Sequence, residues 1–115
     1  MLKALIVDDD KASNRAISLL LSSEGWSTES AYSFADGVKS LKEDINYAIL
    51  DIMLPDGNGL DILKIIKQDY PHIKTILVTG TYISNPKDFF KTHLPDFFFQ
   101  KPIDYNSLIR EMKGN

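Results

Sequence analysis

Short apolar runs that end in acidic residues alternate along the chain with stretches of helical periodicity. Two of the runs, residues 5–7 and 47–50, are followed directly by Asp8 and Asp51. Continuous apolar runs of this length are typical of strands buried on both faces of a parallel sheet. Residues 11–24, in contrast, repeat their apolar positions at helical spacing and stop at Gly25, which suits a left-handed C-cap. The pattern therefore predicts a strand followed by a helix as the unit of the fold.

Five such units follow one another. The predicted strands lie at residues 5–7, 26–31, 47–50, 75–79 and 97–99, and the predicted helices at 11–24, 34–41, 60–70, from Pro86 to no further than Pro95, and 103–113. Ser33 is expected to cap the second helix, and residues 55–59 are expected to form a turn. Regular alternation of this kind indicates an α/β fold, a doubly wound five-stranded parallel sheet with helices on both faces. We expect a single domain over residues 1–115.

The composition excludes several classes of function. Hydrophobic residues make up 43% of the chain and charged residues 25%, as in ordinary globular domains. The formal net charge of -3 offers no electrostatic footprint for direct binding of nucleic acid or of an anionic membrane. The absence of cysteine excludes disulfides and thiolate metal sites and fits a reducing compartment. Because no apolar stretch approaches the ~18 residues of a membrane span and no signal sequence is apparent, we expect a cytoplasmic domain.

The residues that end or follow the predicted strands bring carboxylates, a hydroxyl and an ammonium to one edge of the sheet: Asp8, Asp9, Asp10, Asp51, Thr79 and Lys101. The carboxyl ends of parallel strands form the ligand-binding edge of such sheets. Two unit charges 4 Å apart repel by about 4 kcal/mol at an effective dielectric of 20, so a group of acids there needs a positive partner. The sequence therefore predicts a cation site with a carboxylate nucleophile beside it.

These groups suit phosphoryl transfer. Mg²⁺ prefers oxygen ligands, usually one or two carboxylates together with waters and phosphate oxygens. A carboxylate can attack phosphorus to give an acyl phosphate, whose oxygens then need cationic or hydroxyl partners such as Lys101 and Thr79. The small Gly80 after Thr79 leaves room for an incoming phosphoryl group.

Four motifs occur in order along the chain. They are Ile-Val-Asp-Asp-Asp at residues 6–10, Asp-Ile-Met-Leu-Pro-Asp-Gly-Asn-Gly at 51–59, Leu-Val-Thr-Gly at 77–80 and Gln-Lys-Pro at 100–102. Together they resemble the receiver domain of bacterial two-component response regulators, over essentially the whole chain. The resemblance implies the flavodoxin-like (βα)5 receiver fold. It also implies that a sensor histidine kinase or a phosphotransfer protein donates a phosphoryl group, and that the domain then changes conformation to control an output partner or domain.

The resemblance assigns the phosphoacceptor and the metal ligands. It implies that Asp51 accepts the phosphoryl group. Asp9 would bind Mg²⁺ directly and Asp8 mainly through water, together with Asp51 and the backbone carbonyl of Met53, and Mn²⁺ is an alternative to Mg²⁺. The domain would catalyse its own phosphorylation and slow autodephosphorylation, and would not be an enzyme that acts on other substrates.

The resemblance also assigns the groups that bind phosphoryl oxygens and transmit the change. Thr79 and Lys101 would grip the oxygens, with Gly80 beside them. Phe98 matches the aromatic switch position of the family. The Lys101–Pro102 peptide bond is cis in relatives, which orients the lysine.

The segment between the fourth and fifth strands of the sheet departs from the family pattern. Relatives usually carry a longer helix there, whereas Pro86, Pro95 and several poor helix formers weaken it in this chain. The fourth helix, the fifth strand and the fifth helix form the face through which receivers usually signal, and we expect the output partner, or a second copy in a homodimer, to bind there.

Two other classes of protein fit part of the pattern. A haloacid-dehalogenase-like phosphatase would use Asp8 as the nucleophile and Asp10 as the acid/base. That family needs an acidic pair after the lysine and normally a cap domain, but the only acids that follow Lys101 are Asp104 and Glu111. Asp51 would also have no role in such a phosphatase. The second alternative is a receiver-like interaction module that does not use phosphorylation, and the intact set of acids, threonine and lysine argues against it.

Overall fold

The computed structural model describes residues 2–91 and 93–114. Its strands are β1 (Lys3–Val7), β2 (Ser27–Ala31), β3 (Tyr47–Asp51), β4 (Met53–Leu54), β5 (Gly57–Asn58), β6 (Lys74–Thr79) and β7 (Phe97–Gln100). Its helices are α1 (Lys11–Ser23), α2 (Phe34–Lys39), α3 (Gly59–Asp69), α4 (Pro86–Phe90) and α5 (Tyr105–Met112). The predicted alternation of strands and helices is confirmed, with the pair β4 and β5 inserted before α3.

The predicted doubly wound sheet is also confirmed. Five strands form one parallel sheet in the order β2-β1-β3-β6-β7, while β4 and β5 form a separate antiparallel hairpin. The chain runs from β1 outward to β2, returns to β3 on the other side of β1, and continues outward to β6 and β7. This reversal creates a topological switch point between β1 and β3, where sheets of this kind open a crevice at the carboxyl ends of their strands.

Alternate residues of the central strands pack on opposite faces of the sheet. In β1, Leu5 and Val7 belong to the core that includes residues of α3, whereas Ala4 and Ile6 belong to the core that includes residues of α1 and α5. All four side chains are 0% exposed. Since helices cover both faces of β1, the strand is apolar at every position and not at every second one.

Each helix begins after a side chain that accepts hydrogen bonds from backbone N–H groups of the first turn: Asp10, Ser33, Asn58, Asn85 and Asp104. The predicted cap at Ser33 is therefore confirmed. α1 ends at Ser23, and Gly25 beyond it has a φ of 88°, the left-handed conformation that was predicted for it.

Two helices, α2 and α5, differ from their predicted bounds by more than one residue. α2 ends at Lys39, and Leu41 lies beyond the helix although its side chain is buried. A buried apolar residue at helical spacing therefore extended the predicted helix too far. α5 begins at Tyr105 because Asp104 caps it. In the part of the chain that the structure describes, no helix has the length and apolar character needed to cross a bilayer.

The β4–β5 hairpin was predicted only as a turn. It returns the chain so that the N–H of Gly59 donates to the carbonyl of Ile52 at 2.7 Å. A Cβ atom at Gly59 would overlap the backbone carbonyl of Asp51. Glycine therefore allows α3 to begin directly behind the end of β3.

Candidate functional site

Three carboxylates meet at the carboxyl edge of the sheet. Asp8 is the first residue after β1, Asp51 is the last residue of β3, and the two strands are neighbours in register. One oxygen each of Asp8, Asp9 and Asp51 lies within 4.8 Å of the others. Asp8 and Asp51 are buried, at 3% and 8% exposure, whereas Asp9 is exposed. Three of the four acids that the sequence predicted at this edge thus lie together, and one of these three, Asp9, faces solvent.

Lys101 bridges the two buried carboxylates. Its Nζ donates to Asp8 Oδ2 at 3.0 Å and to Asp51 Oδ2 at 3.1 Å. Lys101 follows β7, and its backbone N–H donates to the carbonyl of Thr79 at 2.8 Å. The Lys101–Pro102 peptide bond is cis. A cation from the edge strand of the sheet therefore offsets part of the charge that β1 and β3 bring together.

The second oxygen of each buried acid accepts a backbone hydrogen bond. Asp8 Oδ1 accepts from the N–H of Asp10 at 3.0 Å, and Asp51 Oδ1 accepts from the N–H of Met53 at 3.2 Å. Each carboxylate is thus held by the lysine at one oxygen and by the chain two residues further on at the other. These contacts fix the orientation of both carboxylates before a ligand binds.

Burial and charge act in opposite directions on the two ends of the Asp8–Lys101 pair. Burial raises the pKa of Asp8, and the hydrogen bonds from the Asp10 N–H and from Lys101 reverse that effect only in part. Burial lowers the pKa of Lys101, but the hydrogen bonds and charges of Asp8 and Asp51 outweigh it, so the pKa of Lys101 is raised overall. The ammonium therefore stays charged at neutral pH.

The donor set fits a hard divalent cation. Three carboxylates face a single ammonium, so the open edge beside Asp9 keeps negative charge. All three donors are carboxylate oxygens, the ligands that Mg²⁺ and Mn²⁺ prefer over the nitrogen and sulfur that suit softer metals. The exposed position of Asp9 leaves the solvent side open to the waters that Mg²⁺ usually keeps.

Thr79 and Gly80 lie at the end of β6, next to β3 in the sheet. Thr79 is 1% exposed, and its Oγ1 accepts a hydrogen bond from the N–H of Thr81 at 3.1 Å. A Cβ atom added at Gly80 would meet no atom within 4 Å. The position that a side chain would occupy at Gly80, directly after the buried Thr79, is therefore open.

A line of aromatic rings connects β7 to the surface of α4. Phe98 of β7 is half-buried, and its ring meets Phe90 edge to face with the centroids 5.4 Å apart. Phe90 meets Phe89 in the same way at 5.2 Å, and Phe89 is 47% exposed. α4 itself covers five residues, in agreement with the weak helix that the sequence predicted there.

Two residues near the site have contacts that the sequence pattern did not indicate. Asp56 was expected to be a simple turn residue, but its carboxylate accepts the N–H groups of Phe34 at 2.6 Å and Ala35 at 3.1 Å, which ties the β4–β5 hairpin to the start of α2. Asn14 is completely buried on α1. The signal for Asn14 was its place three residues before Ile17, on the apolar face of the helix.

Comparison with known proteins gives one family. The model of the response regulator receiver domain matches residues 4–113. The chain is 30% identical over 115 residues to the response regulator ArlR of Staphylococcus aureus, covering 99% of this chain and 52% of ArlR. It is 27% identical to the transcriptional regulatory protein TrcR of Mycobacterium tuberculosis, covering 98% of this chain and 44% of TrcR. The chain thus spans about half the length of these relatives.

Solved structures of receiver domains share the fold. A CheY-like response regulator receiver domain protein from Methanospirillum hungatei aligns with a TM-score of 0.89 and 31% identity, covering 98% of this chain and 91% of that one. The BeF₃-activated receiver domain of DrrB aligns with a TM-score of 0.88 and 26% identity, covering 98% of this chain and 95% of that one.

The chain therefore belongs to the response regulator receiver domain family, and its function is that of a receiver in two-component signalling. A contact at Asp10 also speaks against the phosphatase alternative, which would use this residue as the acid/base. The Asp10 carboxylate caps α1, with Oδ1 accepting from the N–H groups of Ala12 at 3.0 Å and Ser13 at 3.4 Å.

Proposed function

We propose that Asp51 is the residue that accepts the phosphoryl group. The observation that carries this proposal is the ammonium of Lys101, which already bonds to one oxygen each of Asp51 and Asp8. A phosphoryl group on Asp51 would arrive beside a preoriented cation, and fixed charges of this kind lower the barrier of phosphoryl transfer.

The transfer exchanges one bond to phosphorus for another. The Asp51 carboxylate attacks the phosphorus of a phosphohistidine on the kinase or phosphotransfer protein and forms the P–O bond of an acyl phosphate. The P–N bond breaks, and the imidazole nitrogen leaves with the electron pair. Attack of water on the acyl phosphate later releases inorganic phosphate and restores the carboxylate, so the domain catalyses its own slow resetting and acts on no separate substrate.

Asp8, Asp9 and Asp51, with the backbone carbonyl of Met53, hold Mg²⁺ in this proposal, and Mn²⁺ can replace it. When bound, the cation supplies positive charge that offsets the charge of the phosphoryl oxygens. Asp8 and Asp51 are already oriented by their hydrogen bonds. Asp9, on the solvent side, completes the set.

Thr79, Gly80 and Lys101 bind the phosphoryl group. The Thr79 hydroxyl donates to one phosphoryl oxygen, the Lys101 ammonium donates to another, and the space at Gly80 admits the group. Thr79 ends a strand whose neighbours are β3 and β7. A movement at the phosphorylated end of β3 is therefore passed to the loop after β6.

Phe98 transmits this movement to the partner face. Inward movement of the loop after Thr79 changes the packing around Phe98, and its contact with Phe90 carries the change to α4. The surface of α4, β7 and α5 then differs between the two states and binds the output partner, or a second copy in a homodimer. We further propose that the chain acts as one cytoplasmic domain and that this segment makes no direct contact with nucleic acid.

Labelling with acetyl phosphate tests the proposal by stoichiometry. Intact mass should show one phosphoryl group per chain in the wild type with Mg²⁺, and none with a chelator or in Asp51→Asn. Asp10→Asn is the matched control, because asparagine also caps helices well and labelling should persist.

Other results would support other functions. Label that persists undiminished in Asp51→Asn would exclude Asp51 as the acceptor. Continuous release of phosphate from a simple phosphomonoester would support the phosphatase. A wild type that takes no label would support the phosphorylation-independent interaction module.

A further inference from the structure

A completely buried asparagine connects α1 to the ends of two strands. Asn14 is 0% exposed. Its Nδ2 lies 3.1 Å from the carbonyl oxygen of Asp8, 3.1 Å from that of Ala31 and 3.3 Å from that of Ile6. These carbonyls lie where the pairing of β1 and β2 stops. Asn14 therefore closes the end of this strand pair next to the acidic edge.

The orientation of the Asn14 amide follows from its neighbours. Three carbonyl oxygens surround Nδ2, so exchanging the amide nitrogen and oxygen would place Oδ1 against three acceptors and remove every hydrogen bond. In the observed orientation Oδ1 is buried and has no hydrogen-bond partner among the described residues. A buried acceptor without a partner costs stability. An apolar residue at this position would avoid this cost. What asparagine offers in exchange is the set of hydrogen bonds that Nδ2 donates to the three carbonyl groups.

The contacts of Asn14 lie on both sides of Asp9. Its side chain donates to the carbonyl of Asp8, and its backbone N–H donates to the carbonyl of Asp10 at 2.9 Å. Asp8 is also held at its own N–H, which donates to Ala31 at 3.1 Å. Asp9 is thus the residue between two anchored peptide groups.

Asp9 depends on that backbone for its direction. Its carboxylate is exposed and makes no hydrogen bond or ion pair within the described part of the chain. Asp8 and Asp51, in contrast, are held through their own side chains. Loss of the side-chain amide of Asn14 would therefore loosen Asp9 and leave Asp8 and Asp51 in place.

We propose that Asn14 is a positioning residue for the cation site, where it holds the Asp8–Asp10 backbone so that the Asp9 carboxylate faces Asp8 and Asp51. This inference rests on the proposed binding of Mg²⁺ by these three acids. Hydrogen-bond partners behind a metal ligand set its orientation and thereby the affinity for the metal. Asn14 orients the metal ligand Asp9 through the backbone on either side of it and makes no hydrogen bond with the Asp9 carboxylate.

Titration calorimetry of the phosphate-free protein with Mg²⁺ tests the proposal. Asn14→Ala removes the amide, and Asn14→Leu replaces it by an apolar group of similar shape, so that one variant remains if the other does not fold. The matched control is Thr75→Val. Thr75 is also 0% exposed, and its Oγ1 donates a partly buried hydrogen bond to Asp96 at 3.1 Å. It lies near the start of β6, at the end of the strand opposite to Thr79 and the acidic edge.

The Asn14 variants should bind Mg²⁺ roughly tenfold more weakly, the low end of the loss expected for a partner behind a metal ligand, while Thr75→Val binds as the wild type does. Amide relaxation by NMR should show increased motion at Asp9 in the Asn14 variants alone. An unchanged Mg²⁺ affinity in a folded Asn14 variant would overturn the proposal, as would an equal loss in Thr75→Val. A wild type that binds no Mg²⁺ would instead contradict the cation site itself.

Discussion

Replacing Lys101 by methionine is expected to destabilise the fold through charge. Methionine keeps most of the aliphatic stem and removes the ammonium. At an effective dielectric of 20, unit charges about 3 Å apart attract by about 5.5 kcal/mol, and Lys101 makes two such contacts, at 3.0 and 3.1 Å. The lysine side chain is 23% exposed, and removing one member of a buried ion pair costs about 3–5 kcal/mol. We therefore expect the free energy of unfolding to fall by about 2–4 kcal/mol in metal-free buffer at neutral pH.

The loss should depend on pH in a definite direction. Burial raises the pKa of Asp8 in the folded state, and the variant lacks the hydrogen bond and the charge of Lys101 that oppose this, so the pKa of Asp8 rises further. A carboxyl group whose pKa is higher in the folded state destabilises the protein as pH rises through the window above the unfolded pKa. The difference between variant and wild type should therefore be largest at neutral pH and shrink toward the unfolded value of about 3.9.

Urea unfolding measured over this pH range tests the reasoning. The fluorescence of Trp26 reports unfolding, because its ring is 7% exposed and packs edge to face on Tyr47. Lys39→Met is the control, since Lys39 is exposed and makes no ion pair among the described residues. A loss that is equal at neutral and acidic pH would assign the effect to packing, and the absence of any loss would refute the electrostatic argument.

Three further predictions concern other parts of the account. Mg²⁺ at 100 times its dissociation constant should stabilise the wild type by about 2.7 kcal/mol in thermal unfolding. Asp9→Ala should lose most of this stabilisation, and without metal it should be slightly more stable than the wild type because a repelling charge is gone. An unchanged response to Mg²⁺ in Asp9→Ala would exclude Asp9 as a ligand. Beryllofluoride with Mg²⁺ should shift amide NMR signals from residues 79–91 and 97–101. Thr79→Ala should reduce the shifts far from the acidic edge without weakening Mg²⁺ binding. Shifts confined to the acidic edge would indicate a phosphate carrier without a conformational switch. Gly59→Ala should lower the free energy of unfolding in urea by at least ~2 kcal/mol, because the added Cβ would overlap the Asp51 carbonyl. Gly80→Ala, the control, should leave the free energy of unfolding nearly unchanged. A stable Gly59→Ala would mean that the start of α3 can move away from β3.

The sheet and the position of the acids follow from local properties of the sequence. An all-apolar run such as residues 5–7 requires helices on both faces, and the acid after it then lies at the carboxyl edge. Asp10 and Ser33 cap helices through contacts within three residues. Local chemistry of this kind is present in the sequence itself, so the elements and most of their starts could be predicted.

Contacts between distant segments could not be predicted in the same way. Asp56 binds backbone groups more than 20 residues earlier, at Phe34 and Ala35, and nothing in its own surroundings indicates this. Leu41 is buried although α2 has ended, because burial depends on the sheet below it as well as on helix periodicity. Asn14 is a polar residue on an apolar helix face, and its purpose emerges only when the ends of β1 and β2 are placed beside it.

The most direct test of the central claim is the chemical identity of the phosphorylated residue. After reaction with acetyl phosphate and Mg²⁺, borohydride reduces an acyl phosphate of aspartate to homoserine, which peptide mass spectrometry can locate in the sequence. The account predicts homoserine at position 51 in the wild type, dependent on Mg²⁺ and absent from Asp51→Asn. Homoserine at position 8, or a label that survives borohydride as a phosphoester on a hydroxyl group, would contradict the proposal that Asp51 is the phosphoacceptor.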